Sequence, residues 1–89
     1  MDVTVNRFYL KTIVPNPATN SAVINYKTID VTSAYLKVIG TNTNTSNNYI
    51  INTNQEQVSL NISNYPTGYY TIALVCNGEI VDAKTLIKN

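Results

Sequence analysis

The sequence predicts an all-β domain, an immunoglobulin-like antiparallel β-sandwich of about seven strands. Three observations carry that expectation. Short apolar stretches alternate with period two, as half-buried strands do. Turn-forming clusters separate them at the roughly 8–12-residue spacing of an antiparallel sandwich. The polar remainder is mostly Asn, Thr and Ser, which favour turns and strand surfaces over helix interiors. No stretch holds a helical period, and the connections are too short for βαβ crossovers.

The strands follow in order. Val3 to Leu10 alternates and reads as an edge strand or a lead-in. Thr12-Ile13-Val14 then meets Pro15-Asn16-Pro17. Prolines lack the N–H of a central strand and push the preceding residue to extended geometry, so Pro15 to Ser21 reads as a rigid, extended loop. Ala22 to Thr28 is a strand with Ala22, Ile24 and Tyr26 inward. Asp30 to Ser33 is a polar turn. Ala34 to Ile39 is a strand with Leu36 and Val38 inward, ended by Gly40. Thr41 to Asn48 has no apolar anchor and reads as an exposed loop. Tyr49-Ile50-Ile51 is a short strand, and Asn52 to Gln57 a second polar turn. Val58, Leu60 and Ile62 mark the cleanest alternation.

Pro66 and Gly68 punctuate the turn into the next strand. There Tyr70, Ile72, Leu74 and Cys76 alternate with Tyr69, Thr71, Ala73 and Val75. Asn77-Gly78 is a strong type I′ hairpin signal, because both central residues need φ > 0. Glu79 to Lys88 closes the hairpin. Its faces separate poorly: Val81, Ala83 and Ile87 share one, while Asp82, Lys84 and Lys88 share the other with Ile80 and Leu86.

Composition bounds the function. The 89 residues suffice for one small core, burying roughly 60–65% of the unfolded surface. The division expected is a lead-in, linker or edge strand over 1–12 and one sandwich over 13–89. The chain reads as a piece of something longer. A net charge of +1 with 12% charged residues gives no field for nucleic acid or an anionic membrane. No apolar run is long enough to span a bilayer, and no N-terminal signal peptide is evident. The single cysteine, Cys76, excludes an internal disulfide and reads as a small buried apolar residue.

Nothing in the pattern supports catalysis. The chain has no histidine, so neither a serine triad nor a base for Cys76 exists. Asp2, Asp30, Glu56, Glu79 and Asp82 fall in turns or on solvent faces by this strand reading. There is no calcium loop, zinc set or phosphate loop, so no cofactor is expected. Six tyrosines, Tyr26, Tyr35, Tyr49, Tyr65, Tyr69 and Tyr70, raise an alternative: a carbohydrate-binding or adhesive module with an aromatic platform. Tyrosine is also a preferred strand residue whose ring packs the core while its hydroxyl reaches the rim.

Three segments, in order, carry a resemblance. Val14-Pro15-Asn16-Pro17-Ala18-Thr19-Asn20 resembles the YPNPA opening of the C-terminal sorting domains of the type IX (Por) secretion system of Bacteroidota. Val58 to Tyr70, VSLNISNYPTGYY, is similar to that family's LDLSNLPAGIYFI segment. Asn77 to Lys88, NGEIVDAKTLIK, is similar to its DGKVVTKKLIK ending. Val14 stands where Tyr is frequent, Tyr65 where Leu is usual, and Glu79 for a frequent Lys.

The resemblance implies an address label. Such domains follow an N-terminal cargo through the periplasm and are recognised by outer-membrane secretion machinery, a shuttle and a sortase. The sortase typically removes them, and the cargo reaches the cell surface or medium. Pro15, Asn16, Pro17, Gly68, Tyr70, Gly78, Lys84 and Lys88 are the sorting-motif candidates. Pro15 to Thr19 would stiffen the start of the domain, or form an ordinary loop. The final strand would offer an exposed edge for strand addition, and for weak self-association. Lys84 and Lys88 would supply charge contacts there, or simply guard the edge.

Overall fold

The computed structural model describes residues 8–29 and 33–89. Seven strands form two antiparallel sheets: β1 (Phe8–Val14), β2 (Ser21–Thr28), β3 (Ala34–Gly40), β4 (Ser46–Ile50), β5 (Gln57–Asn61), β6 (Gly68–Cys76) and β7 (Glu79–Lys88). One sheet has the order β1-β2-β5, the other β4-β3-β6-β7. The sandwich foreseen from period-two alternation is the fold observed.

Inward positions of both sheets meet in one core. Ala22, Ile24 and Tyr26 of β2 and Leu60 of β5 face Leu36 and Val38 of β3 and Tyr70, Ile72 and Leu74 of β6. These are the residues that alternation assigns inward. Cys76 is buried with them, and burial pushes its thiol pKa up. Tyr26 keeps its ring in the core while its hydroxyl donates to the Asn52 carbonyl at 2.7 Å. Tyr70 does the same near the start of β6, donating to the Pro66 carbonyl four residues upstream. That is the tyrosine-corner arrangement of immunoglobulin-like sandwiches, which locks the crossing from one sheet to the other.

Several boundaries differ from expectation, each for a physical reason. The first described strand is Phe8–Val14 rather than Val3 to Leu10, whose first part lies outside the described residues. It takes in Thr12-Ile13-Val14 by a bulge between Leu10 and Ile13. The Asp30 to Ser33 turn likewise lies mostly outside them. The polar run is not all loop: Ser46 to Asn48 pair with Lys37 to Ile39. Backbone pairing there needs no apolar side chain. Ile51 leaves the strand and is buried. Pro15 to Pro17 form bends rather than an extended run, with cis bonds before both prolines.

β7 departs most. A bulge beside Leu74 and Val75 makes Val81 an extra residue and turns Ile80 outward. Asp82, Lys84, Leu86 and Lys88 then share the inward face with Leu74, Ile72, Tyr70 and Gly68. Ala83 and Ile87 therefore lie on the outer face, while Val81, at the bulge, packs half-buried against the core. An edge strand tolerates this, because its flank still reaches solvent or a loop, and inward charge discourages further pairing.

The strands give the sandwich two poles. One carries Phe8, Ala34 and the Asn77-Gly78 turn; the other carries Val14, Gly40, Gly68 and Lys88. β7 is ten residues long, so the poles lie about 30 Å apart.

Candidate functional site

From Thr85 onward the final strand is not an open edge. The loop from Pro15 to Ala18 crosses from β1 to β2 along its outer side. The Asn16 carboxamide donates from Nδ2 to the Thr85 carbonyl at 2.9 Å, and its Oδ1 accepts from the Ile87 N–H at 2.9 Å. One side chain thereby makes the pair of bonds that a neighbouring strand would make. Ala18 continues the pattern with its backbone. Its N–H donates to the Ile87 carbonyl at 2.8 Å, and its carbonyl accepts from the Asn89 N–H at 2.9 Å. Ala18 forms a parallel bridge with Lys88 and is fully buried.

Local chemistry explains why this segment makes the strap. Pro15 and Pro17 have no N–H, so neither can enter a ladder as a donor. Asn16, between them, carries an amide short enough to stand in for a peptide group. Farther along β7, the Asp82 carboxylate accepts from the Ala83 N–H at 2.8 Å and from the Leu10 N–H of β1, also at 2.8 Å. Asp82 is thus a tie between the two sheets, not a solvent-face acid.

The same pole gathers the other segments singled out in the sequence. Gly68 sits opposite Lys88 with φ of 154°, a region that essentially only glycine occupies. Tyr70 sits opposite Leu86. Lys88 is only 7% exposed, and its ammonium donates to the main-chain oxygen of Asn89 at 2.9 Å. It is not a free surface charge.

A family model, the secretion system C-terminal sorting domain, matches residues 12–89. The chain belongs to this family. A search of curated proteins found no match. The domain is therefore a C-terminal sorting signal of type IX secretion, and its role implies interaction with that machinery and export across the outer membrane.

In this sorting domain the candidate residues divide by place. Pro15, Asn16, Pro17, Gly68, Tyr70 and Lys88 lie at or beside the strapped pole. Gly78 lies at the other, in the hairpin turn with Asn77 (φ 51°) and Gly78 (φ 86°). Lys84 lies between, exposed, opposite Ile72. Sequence reasoning missed Ala18, Asp82 and the double role of Asn16. The amide between two prolines was the available signal.

The tyrosines do not form a sugar platform. Tyr26 and Tyr70 are fully buried. Tyr49 and Tyr65 are half-buried, joined hydroxyl to hydroxyl, with Asn47 Nδ2 donating to the Tyr65 oxygen at 3.0 Å. Burial and that bond push the Tyr49 pKa up to about 12. Tyr35 and Tyr69 face outward from neighbouring strands, but Tyr69 pairs with Ile87 and Tyr35 with Val75, six positions along β6. That is about 20 Å, too far for one sugar ring.

Glu56 accepts from Lys11 at 2.7 Å and lies 3.8 Å from Lys27. These cations hold its carboxyl below the usual range. Among the described residues no acids or cysteines cluster as metal ligands would.

Proposed function

We propose that the machinery reads a composite surface, the pole where Pro15 to Ala18 lies on the final strand, rather than a bare strand edge. The observation that supports this is the Asn16 carboxamide on Thr85 and Ile87, 69 and 71 residues away in the chain. It makes the first and last sequence segments one feature that exists only after folding. Gly68 and Tyr70 set the backbone beneath it, and Lys88 holds its end. On this reading Lys84 is the available charged contact on β7, and Gly78 serves the register of the hairpin.

The arrangement suits an address label. The chain reaches β1 at the pole of Asn77 and Gly78, so an N-terminal cargo is joined about 30 Å from the recognised pole. The label, residues 13–89 with the lead-in before it, can then serve unrelated cargoes. It carries out no chemistry itself. A sortase of the machinery removes it, leaving the cargo at the cell surface or released.

The test is a fusion of this chain to the C-terminus of a periplasmic reporter, in a bacterium that carries type IX secretion. Export is expected with the whole chain and lost when Thr85 to Asn89 are removed. A reporter retained in the periplasm by the intact chain would overturn the sorting reading. Export unchanged by the deletion would overturn the role of the final strand.

A further inference from the structure

We propose that β4 is a strand-addition edge at which two copies of this domain pair. The two margins of the four-stranded sheet are built differently. β7 is guarded by a bulge, by Asp82 tied to the other sheet, by the exposed charge of Lys84, and by the strap over its end. β4 has none of these devices, and its Ile50 is 91% exposed, the most exposed large apolar residue described. An open edge without charge, proline or bulge is a template for another strand.

The hydrogen-bond pattern shows which groups are on offer. Gly40 N–H donates to the Thr45 carbonyl at 2.8 Å, and Ile51 N–H to the Ala34 carbonyl at 3.2 Å. By the alternation of an antiparallel ladder, Asn47 and Tyr49 bond toward β3, while Ser46, Asn48 and Ile50 point their N–H and C=O groups outward. No described residue takes those groups. The strand is also held rigid from beneath, by Asn47 and Tyr49 on the Tyr65 hydroxyl. Its edge is therefore fixed before a partner arrives, which lowers the ordering cost of pairing.

The chemistry selects a second copy. No charged residue stands between Lys37 and Glu56, so β4 itself has nothing with which to select a charged peptide and little to repel itself, its nearest cation, Lys37, lying one strand in on β3. Antiparallel pairing about a two-fold axis at Asn48 sets Asn48 against Asn48 and Ser46 against Ile50 of the other copy. Each pair exchanges both backbone bonds. The result is a continuous eight-stranded sheet with each β7 at a far margin. Both strapped poles stay uncovered, so this pairing is independent of recognition by the secretion machinery.

The contact is small. A five-residue strand buries well under the ~1,000 Å² of a stable dimer, so association is weak and concentration-dependent. It is distinct from the final-strand association foreseen from the sequence, where the strap takes up backbone groups from Thr85 to Asn89.

The test is sedimentation equilibrium of the full chain from about 10 μM to about 1 mM, in the weak-affinity range. The wild type should shift from monomer toward dimer near the top of that range. Ile50→Lys should abolish the shift. Asn48→Pro should too, since it removes an outward N–H and leaves the bonds to β3 in place. Both should melt within a few degrees of wild type. Amide exchange at Ser46, Asn48 and Ile50 should slow as concentration rises. A monomer at the highest concentration would overturn the proposal. So would a dimer that survives both folded variants.

Discussion

Asn16 does with one carboxamide what a neighbouring strand does with a peptide unit, and its replacement separates those bonds from the rest of the fold. Asn16→Ala leaves the Ile87 N–H and Thr85 carbonyl without it, and both can turn to water because the site is exposed. The global cost should be about 1 kcal/mol. Locally, the Ile87 amide should exchange at least tenfold faster by NMR, with Ile72 unchanged. Gly68→Ala should cost more, about 1–3 kcal/mol, because alanine strains at a φ of 154°. Thermal melting checks it: a loss of 1 kcal/mol lowers the midpoint of a domain this size by about 4–8 °C. Tyr49 should ionise well above the ordinary tyrosine range. Its phenol is held neutral in the fold, so its contribution to stability is complete below about pH 10 and lost as pH rises through about 12. Absorbance near 295 nm should lose that late step in Tyr49→Phe.

Strands with one wet and one dry face were legible, and strands whose partners come from loops were not. β2, β3 and β5 carry their inward residues at every second position and burial follows the alternation, as it does at the start of β6; from Ile72 to Cys76 both faces of β6 are buried. Asn77-Gly78 named its own turn. β4 was legible only in Tyr49 and Ile50, because its first half is held by backbone bonds that leave no apolar trace. β7 misled through two long-range facts. Its bulge shifts the pleat by one residue at Val81, and its charged face turns inward because Leu10 and Asn89 supply partners. The strap was half legible: the prolines announced a rigid segment, but nothing local says where an amide side chain will land. Proteolysis offers a check at this scale. If Ala18 holds Asn89, Ala18→Pro, which removes the N–H bonded to Ile87, should let carboxypeptidase trim the C-terminus several times faster.

Across the whole molecule, the two ends are built differently. The pole where the chain comes in holds the hairpin turn, and the far pole joins segments from the beginning and end of the sequence. Such a feature is absent from the unfolded chain, so an export signal built on it reports that the domain has folded. Core variants should affect export through that route. Ile72→Ala opens a cavity beneath the β6–β7 pair, with a cost of about 2–5 kcal/mol. That is a large share of the roughly 5–10 kcal/mol a small domain commands. Export should fall with the folded fraction measured by circular dichroism, whereas surface variants at Glu56 should leave it unchanged.

The most direct measurement is export of the reporter fusion carrying Asn16→Ala, set beside the folded fraction of the same variant. The composite-pole account predicts a domain that melts well above growth temperature yet exports several-fold less reporter than wild type. Export equal to wild type, with the strap bonds lost by amide exchange, would contradict it and return the signal to the final strand alone.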